Sequence, residues 1–167
     1  MFRDFFELFP HKFLNMTNGV TPRRWLYCCN PGLSKLISET IGNDDDWITD
    51  MRMVEEIIAS ARDKRFVAKF IAVKGQNKVR LQEYVKRTQG IEIRTDAMYD
   101  VMVKRIHEYK RQLMNILYVI YRYHDILSTP ESQRDQKFVP RVIFIGGKAA
   151  PGYKDAKGII KLINSVG

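Results

Sequence analysis

Residues 100–112 read D-V-M-V-K-R-I-H-E-Y-K-R-Q, and this stretch decides the fold. Val101 and Val103, with Met102 between them, have the apolar, β-branched character of a strand. They run into Lys104, Arg105, Lys110 and Arg111, a cationic cluster interrupted by His107, Glu108 and Tyr109. A helix-period segment follows from Glu108 to Leu127, with Leu113, Ile116, Leu117, Ile120 and Leu127 on one side. The cations therefore fall where a strand ends and a helix begins. Ligands of open α/β sheets bind beyond the carboxyl ends of strands, and a helix N-terminus attracts anions. Two readings follow: an anion site for a group more highly charged than a carboxylate, or a solvated basic helix start.

Downstream, Val142 to Ile145 is an apolar run bounded by Gly146-Gly147, the signature of a buried parallel strand. Ser128–Lys137 reads as a polar loop and Lys148–Tyr153 as a second one, and a final helix carries Ala156, Ile159, Ile160 and Ile163. With the strand near Tyr99–Ile106, this makes a βαβα unit whose two strands are parallel neighbours or one strand apart. Upstream the pattern is helical. Leu33–Ile41 is a helix stopped by Gly42, with Ser34 on its exposed side; Met51–Ala61 is another, with Val54, Ile57, Ile58 and Ala61 inward; Arg62–Thr88 is a long third. Phe2, Phe5, Phe6 and Phe9 fall at helical spacing, which predicts a packing face. Residues 11–32 combine turn signals (Asn18-Gly19, Thr21-Pro22, Asn30-Pro31-Gly32) with Phe13, Trp25 and Tyr27. That stretch is mostly irregular, with at most a helical turn near Pro22–Trp25, and either lines a site or forms a buried connector. The fold class is α/β, a helical first half followed by βαβα.

The 167 residues suit one ordinary domain or part of a larger protein, and 28% charged against 45% apolar residues is a globular composition. The longest apolar run is Ile116–Tyr121, far short of the ~20 residues that span a bilayer, so no membrane segment is expected. The N-terminus lacks the pattern of a secretory signal. The two cysteines, Cys28 and Cys29, are adjacent and build no disulfide framework, which favours a reducing, cytoplasmic compartment. The net charge of +9 is uneven: residues 1–50 are slightly acidic, and residues 51–167 carry 23 Lys and Arg against 12 Asp and Glu. A nucleic-acid face, an anionic small substrate or an acidic neighbouring domain would each account for it, although no nucleic-acid-binding motif is present. A non-catalytic α/β interaction module is a further alternative.

Gly146-Gly147-Lys148 lacks the spacing of a phosphate loop, and no G-x-G-x-x-G occurs. His11, His107 and His124 are not at metal-ligand spacings, and Asp44-Asp45-Asp46 lacks the alternation and distal Glu of a calcium loop, so no metal is expected.

Three segments carry a resemblance: residues 10–26 (P-H-K-F-L-N-M-T-N-G-V-T-P-R-R-W-L), residues 103–112 (V-K-R-I-H-E-Y-K-R-Q) and residues 145–152 (I-G-G-K-A-A-P-G). They closely resemble the α-glucan phosphorylases, the glycogen, starch and maltodextrin enzymes, and the likeness runs from residue 1 to residue 167. It implies a two-domain GT-B-type glycosyltransferase fold with Rossmann-like halves. Residues 1–32 would be a hinge segment lining the cleft, 33–97 a helical part of the C-terminal domain, and 98–167 its first, incomplete βαβα unit. It implies pyridoxal 5'-phosphate, whose phosphate relays a proton through orthophosphate, and release of α-glucose 1-phosphate from an α-1,4-glucan with retention. Two dianions held close together require several fixed cations.

By motif position, Lys104 resembles the residue beside the cofactor phosphate, and Arg105 and Lys110 the orthophosphate ligands. Trp25 and Val103 resemble parts of the cofactor pocket, and Asn18 and Tyr109 sugar contacts. The G-T-G-N-M-K motif that carries the family's Schiff-base lysine is not in this sequence. The chain thus reads as a fragment, inert alone, whose partners are orthophosphate, α-1,4-glucan, the rest of the same polypeptide and, in the full enzyme, a second copy in a homodimer. A plastid is open besides the cytoplasm, and glucan preference and allosteric control are not readable here.

Overall fold

A computed structural model describes residues 2–14, 19, 21–42 and 45–167. The chain divides into two compact units, Met1–Lys78 and Val79–Gly167.

In the first unit, α1 (Arg3–Leu8) leads to a 3-10 turn at Pro10–Lys12 and a π-helical turn at Arg24–Cys28. The turn near Trp25 is thus longer than its breaker residues suggest. The phenylalanine face of α1 is exposed; Phe6 meets Phe13 edge-on at 5.6 Å, and Lys12 lies over Phe9. α2 (Pro31–Ile41) has the boundaries its punctuation dictates. The Asn30 side chain accepts from the Leu33 amide, Pro31 occupies the first helical position, and Gly42 ends the helix in the left-handed region at φ 72°. Leu36 and Ile37 are buried. Ser34 is buried as well, not exposed, and its hydroxyl donates to the Pro31 carbonyl at 3.1 Å.

The centre of this unit is Trp47, fully buried in a 3-10 turn (Asp46–Ile48), with its indole N–H donating to Ser38 Oγ at 2.9 Å. Ser38 donates to one oxygen of Asp45 and Tyr27 to the other. Met51–Arg62 is a 3-10 helix. At three residues per turn, Met51, Val54, Ile57 and Ser60 share the half-buried face, and Ile58, predicted inward, is 74% exposed. α3 (Lys64–Gln89) crosses the division between the units; Asn77 on it donates to the Asn30 side chain.

In the second unit, β1 (Met98–Val103) pairs in parallel with β2 (Arg141–Gly146), from Met98 opposite Arg141 to Val103 opposite Gly146. Among the described residues the sheet has these two strands. Between them lie α4 (Gln112–Ser128) and α5 (Glu131–Lys137), and α6 (Lys154–Val166) follows. The expected polar loop at Ser128–Lys137 is therefore mostly helix. It has no apolar stripe; polar contacts hold it, with Lys137 on Asp125 at 2.9 Å and Arg134 on the Thr129 carbonyl at 2.9 Å. Glu131 in its first turn and Arg134 and Lys137 in its last suit the helix dipole. Ile106, Ala156 and Ile159 form a buried cluster, with Ala149, Tyr153, Ile160 and Ile163 around it, and Ile93, Ala97, Ile116 and Phe138 are buried as well. The chain is thus a helix-rich α/β fold with a small parallel sheet.

Candidate functional site

The cationic stretch occupies the carboxyl end of β1. Strand geometry ends at Val103, short of the expected Ile106, yet pairing continues: the Lys104 amide donates to the Gly146 carbonyl and the Ile106 amide to the Lys148 carbonyl, each at 3.0 Å. Ile106 then enters the core. Lys104 and Arg105 are consequently fixed through their backbone and left outward through their side chains, both exposed.

The predicted helix start at Glu108 is a 3-10 turn, Glu108–Lys110, and α4 begins only at Gln112. Arg111 separates them in a left-handed conformation at φ 60°, unusual for a residue with a Cβ. Lys110 therefore sits on a separate turn, half-buried, with its ammonium 5.7 Å from the Tyr109 ring centre. Among the described residues no carboxylate lies within ion-pair distance of Lys104, Arg105 or Lys110.

Two residues outside the predicted set hold this loop. Gln112 is fully buried; its carboxamide donates to the Arg105 carbonyl at 3.1 Å and accepts from the His107 amide at 3.2 Å. Tyr153, 45 residues downstream of Glu108, donates to the Glu108 carboxylate at 2.6 Å, accepts from the Glu108 amide and stacks edge-on with His107. The hydrogen bond to Glu108 holds the Tyr153 phenol above its ordinary pKa. Gln112 had one sequence signal, a polar residue one turn before Ile116 on the inward stripe. Tyr153 had none, since the contact depends on the fold.

Val103 at the end of β1 is thus followed by Lys104, Arg105, Tyr109 and Lys110 in one short, doubly anchored loop of the second unit. Val103 and Tyr109 are 67% and 71% exposed. Trp25 lies in the first unit, 63% exposed on the π-helical turn. Asn18 lies outside the described residues. Cys28 and Cys29 are exposed free thiols. The described residues contain no cluster of His, Cys, Asp and Glu suited to a metal ion, and none of their helices is long and apolar enough to cross a membrane. A loop of unpaired cations beyond a parallel strand can hold a multiply charged oxyanion.

A sequence profile described as "Carbohydrate phosphorylase" matches residues 1–167. The muscle form of glycogen phosphorylase from Mus musculus is 48% identical over 167 residues, covering 100% of this chain and 19% of that protein. The human muscle form and the brain form from Ovis aries are each 47% identical over the same length and coverage.

This chain belongs to the carbohydrate phosphorylase family.

It spans about a fifth of the length of the curated relatives it matches. As a carbohydrate phosphorylase segment, it carries the basic strand end on its own residues. The two anchors of that loop, Gln112 and Tyr153, also lie within the 167 residues.

Proposed function

We propose that the chain is a segment of a glucan phosphorylase, a glycosyltransferase that cleaves terminal α-1,4-linked glucose with orthophosphate. The observation that carries this reading is the loop after β1: Lys104, Arg105 and Lys110 stand without a carboxylate partner among the described residues, on a backbone fixed by sheet pairing and by Gln112. Cations already paired with carboxylates would have to give up those partners to take a dianion; these do not.

In this proposal Arg105 and Lys110 bind orthophosphate, and the guanidinium of Arg105 offers two parallel donors to it. Lys104 stands beside the phosphate of pyridoxal 5'-phosphate. The residues fit such a group, because an exposed ammonium on a fixed strand end suits a dianion. When bound, the cofactor supplies a phosphate that can exchange a proton with orthophosphate. Trp25 and Val103, both exposed, contribute apolar surface to the cofactor pocket, and Asn18 and Tyr109 contact the sugar. The cofactor's lysine lies elsewhere in the polypeptide. The proposal extends to a GT-B fold, with residues 1–32 as hinge, 33–97 as helical part and 98–167 as the first unit of the C-terminal domain, and to a cytoplasmic homodimer.

The test is Arg105→Ala in the full-length enzyme. Turnover should fall on the order of 10²–10³, the scale for one electrostatic donor to a reacting oxyanion. Normal turnover with normal orthophosphate dependence would reject the loop as the phosphate site.

A further inference from the structure

We infer that Gln112 is a positioning residue for the orthophosphate site, holding the peptide groups on either side of Ile106 so that Arg105 is presented in one orientation. The inference rests on the phosphate reading above and concerns a residue that touches no substrate.

Gln112 is the first residue of α4, and its side chain turns back onto the preceding loop. It is completely buried, and both ends of its carboxamide are used: Nε2 donates to the Arg105 carbonyl and Oε1 accepts from the His107 amide. Between those two groups, the Ile106 side chain is locked in the core with Ala156 and Ile159 and its amide is held by the Lys148 carbonyl. Residues 105–107 are therefore held on both sides. A buried amide stabilises little in itself, because its desolvation offsets its hydrogen bonds. A hydrocarbon at this position would pack as well, but it would leave the Arg105 carbonyl and His107 amide unpaired. Only a side chain with a donor and an acceptor at this reach meets both. The left-handed Arg111 next to it turns the chain so that Gln112 can fold back while Lys110 stays on the preceding turn. One carboxamide thus couples the backbone of Arg105 to the start of the helix that follows Lys110.

The experiment compares Gln112→Met, Gln112→Glu and Ile116→Val in the full-length enzyme, with Arg105→Ala alongside. Ile116→Val removes one methylene from a buried residue one helical turn after Gln112 and leaves both carboxamide hydrogen bonds in place. Gln112→Met should raise the KM for orthophosphate and lower kcat, together on the order of 10–100-fold in kcat/KM, the scale for losing a partner that orients a ligand-bearing group. Bound pyridoxal and the KM for glucan should stay unchanged, as should all parameters of Ile116→Val.

Gln112→Glu preserves the volume and the acceptor for His107, so it carries the test if Gln112→Met does not fold. Its deficit, measured against the parent enzyme at each pH, should shrink as pH falls, because the protonated acid regains a donor for the Arg105 carbonyl. A normal orthophosphate KM in Gln112→Met, a Gln112→Glu deficit that is absent at neutral pH or does not shrink as pH falls, or an equal rise in Ile116→Val, would overturn the inference. If Arg105→Ala leaves the orthophosphate dependence intact, the underlying phosphate reading fails instead.

Discussion

Gly147 passes so close to Lys104 that a Cβ placed on it would stand 2.2 Å from the Lys104 carbonyl oxygen. The same Cβ would meet the Ile106 side chain at 3.0 Å. Only a residue without a side chain lets the two chains continue side by side past the ends of β1 and β2. Gly147, the second of the two glycines that punctuate the sequence after Ile145, is therefore a close-approach device that helps seat Lys104 and Arg105.

Gly147→Ala forces a contact with backbone that cannot swing aside. It should destabilise the enzyme by about 1–3 kcal/mol, the range for overpacking, and impair the proposed anion site. The adjacent Gly146→Ala is the contrast: its Cβ would lie 3.7 Å from Val103 Cγ1, an ordinary contact, and should be much better tolerated. Thermal unfolding and orthophosphate KM of the two variants check this. Equal behaviour would remove Gly147 from the argument.

Trp47 and Ser38 should be coupled in the first unit. Trp47→Ala empties a fully buried site and should cost about 3–5 kcal/mol. Ser38→Ala leaves the indole N–H without its acceptor and should cost about 1–3 kcal/mol. In a cycle of Ser38→Ala, Trp47→Phe and the two combined, the double variant should lose less than the sum of those two singles, because each removes a partner of the same bond. Strict additivity in denaturant unfolding would argue against the bond. Ser34→Ala is no neutral control here, since its hydroxyl is buried against the helix carbonyls.

Asp50 gives a pH-dependent signature. Hydrogen bonds from the side chain and backbone of Arg52 lower its pKa from 3.8 to about 2. Because the folded value lies below the unfolded one, the contribution to stability is fully present above about pH 3.8 and is lost as pH falls through about 2. NMR titration of the Asp50 carboxyl should give the low midpoint. In acid unfolding, Asp50→Asn should show a smaller loss of stability across that window than the parent.

The fold was legible where local chemistry sufficed. Val142–Ile145 between a polar loop and Gly146-Gly147 is the parallel strand its apolar run predicts, although half-buried instead of buried, with Ile143 exposed, and Asn30, Pro31 and Gly42 mark both ends of α2 without reference to anything distant. The misreadings share a cause. In Met51–Arg62 the apolar residues fit three or 3.6 residues per turn, and Ile58 separates the two only once the helix has formed. α5 is held by Asp125 and Thr129, which periodicity does not register. At the site, the cations announce themselves by composition, whereas their supports depend on the loop closing: Gln112 reaches back seven residues and Tyr153 reaches Glu108 across 45.

The exposed strand faces predict the behaviour of these 167 residues expressed alone. Val101 and Val103 of β1 are 57% and 67% exposed, and in a two-stranded sheet both strands have a free edge. The isolated chain should bind an apolar fluorescent dye and self-associate, and Val101→Lys should reduce both. A monomer that unfolds cooperatively and binds no dye would contradict this.

Lys104 and Arg105 are adjacent yet are proposed to serve different anions, and that is separable. Successive residues of extended chain point to opposite faces, so side chains at 104 and 105 diverge. Lys104→Ala in the full-length enzyme should lower the pyridoxal retained after purification, read by absorbance, and leave the orthophosphate KM of the loaded fraction near normal. Arg105→Lys keeps the charge and the loop but replaces a planar fork by a single ammonium, which cannot present two parallel donors. It should retain the cofactor fully and lose on the order of 10-fold or more in kcat/KM for orthophosphate, less than Arg105→Ala loses. The pattern across the three variants is the measurement. If Lys104→Ala keeps its cofactor and loses orthophosphate affinity, the two roles are exchanged; if Arg105→Lys is as active as the parent, the site uses charge alone and the bidentate contact is wrong.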